Sequence, residues 1–253
     1  MSLTFAVLGL GEAGSLFATD LLTQGMIVRG YDPDTKRQVS GVERCQSIPE
    51  AVESANVILS LNWARVALEV AGLASPYLQI GAIYADLNTA APSLKKAMAD
   101  RITVFTDVAL LNPVPGNGLG TPALASGLAA AAFCQIMQPL GMPIELCSQT
   151  AGDAAAKKLI RSVFYKGLAA CAGEALEAAR ALGCEDWLHD NIGQTLAAMN
   201  QSTVERLVQG SQQHAVRRHQ EMQAATQMLT ELGVEPRMAS SSADWLKSQI
   251  DLG

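Results

Sequence analysis

The sequence predicts an α/β chain in two parts: a doubly wound, mainly parallel sheet, then an all-α C-terminal domain joined to it by a long interdomain helix. Three observations carry this. Short β-rich runs alternate with helical stretches through the first half, a glycine-rich turn follows the first strand directly, and strand patterning stops near residue 150. Alternating β and α units imply parallel strands covered on both faces.

In chain order, TFAVLGL (4–10), MIVRGYD (26–32), NVILSL (56–61), AIYADL (82–87), TVFTDVAL (103–110) and PIELC (143–147) read as strands. Amphipathic or Ala-rich stretches begin near Glu12, Pro49, Ala64, Pro92 and Ala129. LNPVPGNGLGTP (111–122) is a loop by its Gly and Pro content. One long helix is expected from Gly152 to Gly183, its apolar residues implying burial. Helical patterns follow over 185–200, 203–232 and 241–251, the last with a cap signal in Ser241 and Asp244. The expected domains are 1–150 and 151–253.

The chain has 253 residues, 49% of them hydrophobic, enough for a sizeable core. No apolar run approaches the roughly 18 residues of a membrane span. The N-terminus enters an apolar strand without a basic segment or cleavage site, so a cytoplasmic protein is expected. The five cysteines, Cys45, Cys134, Cys147, Cys171 and Cys184, form no CxxC and read as buried reduced thiols. His189, His214 and His219 do not combine with them at ligand spacing, so no metal is expected. A net charge of −6 without a basic run argues against nucleic acid and membrane as partners.

The turn after the first strand reads Gly9-Leu10-Gly11-Glu12-Ala13-Gly14 and opens a helix. Gly9 allows the tight bend, Gly11 lets a pyrophosphate approach the backbone, and Gly14 lets the helix pack on the strand. The pyrophosphate then meets the unpaired N–H groups of the helix N-terminus. This is the signature of a Rossmann-type dinucleotide-binding domain. Asp32 closes the second strand, where a carboxylate binds the adenine ribose diol and repels a 2′-phosphate; the alternative is that it caps the turn Asp32-Pro33-Asp34. NAD is therefore expected, with NADP left open by Lys36 and Arg37. Leu61 and Asn62, with Trp63, end another strand and border the cofactor by the same topology, unless they serve turn chemistry and packing. Asn88 and Thr89 end a further one and are expected to orient substrate or nicotinamide, turn chemistry again being the alternative for Asn88.

In the long helix, Lys158 shares a face with Ser162 and Tyr165, whereas Lys157 lies about 100° away. Lys158 is thus the candidate for an inward site and Lys157 for solvent; the alternative is that both snorkel at a domain edge.

The order of these features resembles the β-hydroxyacid dehydrogenase superfamily, which includes 3-hydroxyisobutyrate and 6-phosphogluconate dehydrogenases. GLGEAG matches its turn, Asp86-Leu87-Asn88-Thr89-Ala90-Ala91-Pro92 its segment after a later strand, and Asp107 to Pro113, loosely, its Asp-Ala-Pro-Val-Ser-Gly-Gly stretch. Ala154 to Gly167 and His214 to Met222 are similar to a 6-phosphogluconate-dehydrogenase-like subgroup. The resemblance implies hydride transfer at a β-hydroxy acid, with Lys158 as general base; if the product is a β-keto acid, the resulting ammonium can assist its decarboxylation. Desolvation draws a lysine's pKa down towards the range such a base needs. Ser162 stands where the better-known enzymes have Asn, and Leu111-Asn112-Pro113 where they have Ser-Gly-Gly. Pro113 has no N–H to donate, so Asn112 is expected to replace part of a carboxylate anchor. The substrate is expected to be a small acidic hydroxylated molecule other than the two named.

His214, Arg217 or Arg218, and Glu221 fall on one helical face, and His214 and Arg217 are read as helping close the site and bind an acidic group, a solvated charged face being the alternative. The Ala- and Gly-rich long helix implies a homodimer by the same resemblance. Two other readings compete: an imine reductase, which Tyr165 keeps open, and a dinucleotide-binding regulator without turnover.

Overall fold

The structure is a computed structural model, and it describes residues 2–252. The chain divides into two compact units, through Arg161 and from Ser162 onward.

The first unit is built on one eight-stranded sheet. Its strands are β1 (Thr4–Leu8), β2 (Ile27–Tyr31), β3 (Glu43–Arg44), β4 (Val57–Ser60), β5 (Ile83–Asp86), β6 (Phe105–Leu110), β7 (Ala123–Ser126) and β8 (Ile144–Ser148). They lie in the order β3-β2-β1-β4-β5-β6-β7-β8, and among the described residues only the β6–β7 pair is antiparallel. The helices are α1 (Glu12–Thr23), α2 (Ile48–Val52), α3 (Ala64–Ala74), α4 (Pro92–Ala99) and α5 (Ala130–Met137).

Period-two side-chain alternation divides the buried strands between two cores. Phe5 and Val7 of β1, Val57 and Leu59 of β4, and Ile83 and Ala85 of β5 pack with Phe17 of α1 and Phe133 of α5. Ala6, Leu8, Ile58 and Tyr84 point the other way and pack with Ile48 and Met98. Asp86 follows Tyr84 by two residues and lands on that second face. There Lys95 of α4, wholly buried, reaches it at 2.6 Å and also reaches Asp107 of β6 at 3.0 Å. Burial first, then the charge of Asp86, pushes the Tyr84 phenol above its ordinary range and keeps it protonated.

Two strands escaped the sequence pattern. β3 is two residues long, and β7 is Ala-Leu-Ala-Ser, with none of the β-branched or aromatic residues that mark a strand. β7 exists because β6 and β8 supply its partners. Gly127 turns the chain after it at φ +116, where a Cβ would meet the Phe105 carbonyl at 2.8 Å.

α6 (Asp153–Ala181) runs through the division between the units. Its first turn is capped from a distance: Ser126 Oγ accepts the Ala154 N–H at 3.0 Å and Asp107 Oδ2 the Ala155 N–H at 2.9 Å. The expected burial of this helix is not met within one chain, because Ile160, Val163 and Phe164 are 72%, 75% and 54% exposed.

The second unit continues with α7 (Glu185–Ala197), α8 (Gln201–Gln213), α9 (Ala215–Glu231) and α10 (Arg237–Leu252). Two expectations are corrected here. The pattern over 203–232 is two helices, broken at His214, whose φ −118 and ψ 26 are not helical; apolar spacing alone does not register one non-helical residue. Ser241 lies inside α10 rather than at its cap, and Glu174 Oε2 and Oε1 accept the Met238 and Ala239 N–H groups in that helix's first turn instead. The cysteines also differ from expectation: Cys45 and Cys134 are buried, and Cys171 is exposed.

Replacing Lys95 with Met leaves two buried carboxylates uncompensated and is expected to cost about 3–5 kcal/mol, read as a lower urea midpoint.

Candidate functional site

Parallel register brings the C-terminal ends of four strands to one edge. Leu8 pairs with Tyr31 and with Ser60, and Ser60 pairs with Asp86. The residues that follow, Gly9, Asp32, Leu61 with Asn62, and Asn88 with Thr89, therefore share that edge, where open α/β sheets bind ligands.

The glycine turn is as tight as its residues imply. Gly9 takes φ +106, and a Cβ there would strike the Leu61 carbonyl oxygen. A Cβ on Gly14 would strike the Gly9 carbonyl oxygen, so α1 packs directly against the bend. No side chain caps α1 at Gly11, so the amides of Glu12 and Ala13 begin the helix without a side-chain acceptor. Leu10 completes the turn: its N–H donates to Asp32 Oδ2 at 2.8 Å. Asp32 Oδ1 accepts the Asp34 N–H at 2.9 Å. Asp32 thus caps its own turn and ties it to the glycine turn, while still bordering the cavity beside it.

That cavity holds about 400 Å³ and is lined by Gly9, Asp32, Arg37, Asn62, Trp63 and Val70, among others. A glycine cradle, an uncapped helix N-terminus and a carboxylate at the end of β2 fit a dinucleotide.

Further along the edge, Asn88 is buried and donates to Asp86 Oδ1 at 2.5 Å, with Ser60 Oγ at 3.2 Å and Asn62 Oδ1 at 3.3 Å. Asn62 donates to Ser60 Oγ at 2.9 Å. Beside them Lys158 Nζ donates to Thr89 Oγ1 at 2.7 Å. One turn on, Arg161 donates to the Leu111 carbonyl at 2.6 Å, just before the exposed Asn112. The structure therefore brings together Gly9–Gly14, Asp32, Leu61, Asn62, Asn88, Thr89 and Lys158 within the first unit.

The sequence reading missed Lys95, Asp107 and Ser126 as supports of this edge. Lys95 carried one legible signal: it shares a helical face with the buried Met98, three residues on.

Ser162, Tyr165, His214 and Arg217 belong to the second unit. The Tyr165 ring meets Phe164 edge-on at 5.4 Å. The single helical face assigned to His214, Arg217 and Glu221 is corrected, since His214 stands at the break between α8 and α9. Arg217 and Glu221 form an exposed pair at 3.6 Å. His214 and Arg217 still border one cleft of about 430 Å³.

Residues 4–126 match the family described as the NAD binding domain of 6-phosphogluconate dehydrogenase, and residues 179–249 a domain of unknown function (DUF1932). The N-terminal half is an NAD-binding domain. This NAD-binding protein is 26% identical over 247 residues to an uncharacterized 28.5 kDa protein from Methanothermus fervidus, covering 95% of this chain and 96% of that one. It is 28% identical to a solved conserved protein of unknown function reported to be structurally similar to 3-hydroxyacid dehydrogenases, with 98% of each chain covered and a TM-score of 0.65. The Streptomyces aurantiacus imine reductase shares the fold, with a TM-score of 0.83, 18% identity and coverage of 99% and 95%. Among the described residues no helix is long and apolar enough to cross a membrane, and no group of three His, Cys, Asp or Glu could hold a metal ion.

Gly14→Ala forces the Gly9 carbonyl aside. It is expected to cost about 1–3 kcal/mol and to abolish NADH binding, checked by thermal melts and by fluorescence titration.

Proposed function

We propose that this protein is an NAD-dependent oxidoreductase that oxidises a small acidic β-hydroxy acid, or reduces the matching carbonyl, with Lys158 as general acid and base. The observation that carries the reading is the Lys158 amine held on Thr89 at 2.7 Å, on the strand edge that also carries the glycine turn. NAD, when bound, supplies the hydride acceptor.

The chain's own residues do the rest. Lys158 takes the hydroxyl proton on its amine as the alcohol is oxidised, and returns it in the reverse direction. Thr89 holds the amine in place, and the carboxylate of Asp86 fixes the Asn88 amide beside it. In the second unit, the cleft at His214 and Arg217 offers a place for an acidic group. Ser162 follows Lys158 by one helical turn and is proposed as a hydrogen-bonding partner of the substrate. The exposed apolar face of α6 at Ile160, Val163 and Phe164 supports a homodimer, since apolar patches of this kind mark association surfaces. The cytoplasm is the proposed compartment.

A second reading is imine reduction, favoured by the shared fold and by the half-exposed Tyr165 on the helix that carries Lys158.

Lys158→Met is expected to keep NADH binding and to lower hydroxy-acid turnover by about 100-fold or more in a screen that also follows carbon dioxide release. Hydroxy-acid turnover that survives the substitution removes Lys158 as the base. Turnover of cyclic imines alone supports the second reading, and NADH binding without turnover supports a regulator. Val163→Asp is expected to shift the protein from dimer to monomer in light scattering.

A further inference from the structure

The adenine-ribose end of the cavity carries a charge arrangement that the turn motif does not explain. Asp32, Asp34 and Glu69 line the cavity, and Arg37 is the single cation among its described lining residues. Arg37 Nη1 lies 3.5 Å from Asp32 Oδ2, and its Nε lies 3.5 Å from Asp34 Oδ2. The two acids differ in what else they do. Asp32 is nearly buried and holds the Leu10 and Asp34 amides. Asp34 is 51% exposed, and its carboxylate accepts one other hydrogen bond, from the Lys36 N–H at 3.1 Å.

Arg37 also stands over the phosphate-binding turn. Its Nη1 would lie 2.7 Å from a Cβ built on Gly11. A nearby second guanidinium, that of Arg44, is committed elsewhere: it bonds the Asp32 and Cys45 carbonyls and lies over the Tyr31 ring at 5.8 Å. A 2′-phosphate arriving here meets three carboxylates and one guanidinium already neutralised by two of them.

We propose that Asp34 determines the choice of cofactor: by pairing with Arg37 it withholds from the cavity the guanidinium that would take up a 2′-phosphate, so the site takes NAD over NADP. This rests on the cavity being the adenine-ribose site. Asp34→Asn removes the charge while keeping a side-chain oxygen for the Lys36 amide and the backbone N–H for Asp32. Arg37 keeps its hold on Asp32 but loses one of the two carboxylates that compete with phosphate.

Dissociation constants for NADH and NADPH are measured by calorimetry on the full chain, for wild type, Asp34→Asn, Arg37→Gln and the double variant, with thermal melts verifying the fold. The expected result is a wild type that prefers NADH. Asp34→Asn then tightens NADPH about tenfold and leaves NADH within about twofold. The double variant loses that gain, as the phosphate's partner is gone. An unchanged NADPH affinity in Asp34→Asn, or a gain that survives Arg37→Gln, overturns the proposal while the cavity assignment stands. A wild type that prefers NADPH, and loses it in Arg37→Gln, shows Arg37 already available and also overturns it. Wild type that binds neither dinucleotide overturns the proposal and the cavity assignment together.

Discussion

Lys95 sits between Asp86 and Asp107 with no exposed surface, and Asp107 in turn accepts the Ala155 amide in the first turn of α6. Three strands and two helices converge on this group, because Asp86 ends β5, Lys95 belongs to α4, Asp107 to β6, and Ser126, the second cap of α6, ends β7. Two acids and one base leave a net negative charge in the core, which is costly unless something positive faces it. The N-terminus of α6 does so, with the Ala155 N–H donating to Asp107 and the helix dipole directed at it. The cap thus serves both sides: the helix gains acceptors and the acid gains donors.

The same group sets the position of the candidate catalytic residues. Lys158 follows the capped amides by one turn, so anchoring Ala154 and Ala155 to β7 and β6 delivers the amine to Thr89. Asp86 meanwhile holds Asn88 from the other side through a 2.5 Å hydrogen bond. Ion pairs of this kind add little net stability over apolar packing, since desolvation offsets most of the attraction. Their value here is placement, because Lys95 ties β5 to β6 through Asp86 and Asp107, and Asp107 ties both to α6.

The cofactor edge works by a different constraint, close backbone approach. Gly9 and Gly14 are required because a Cβ at either would enter a carbonyl oxygen, of Leu61 and Gly9 respectively. Asp32 then joins the glycine turn to the end of β2 by accepting the Leu10 amide. Asp32, expected to bind ribose or to cap its own turn, is a structural clamp whose two oxygens hold two backbone amides.

Local chemistry in the sequence determined the parallel sheet, the glycine turn at Gly9–Gly14 and the long helix after Gly152, because each depends on neighbours within one or two turns or on strand alternation. Only the tertiary structure decided that Ala123–Ser126 is a strand, that His214 breaks a helix, and that Lys95 is buried between two acids. Those outcomes depend on partners remote in the chain: β7 needs β6 and β8, and the cap on α6 comes from residues 28 and 48 positions away. No periodicity encodes a contact across such distances, so the lysine that organises the core went unread while the lysine beside Thr89 stood out.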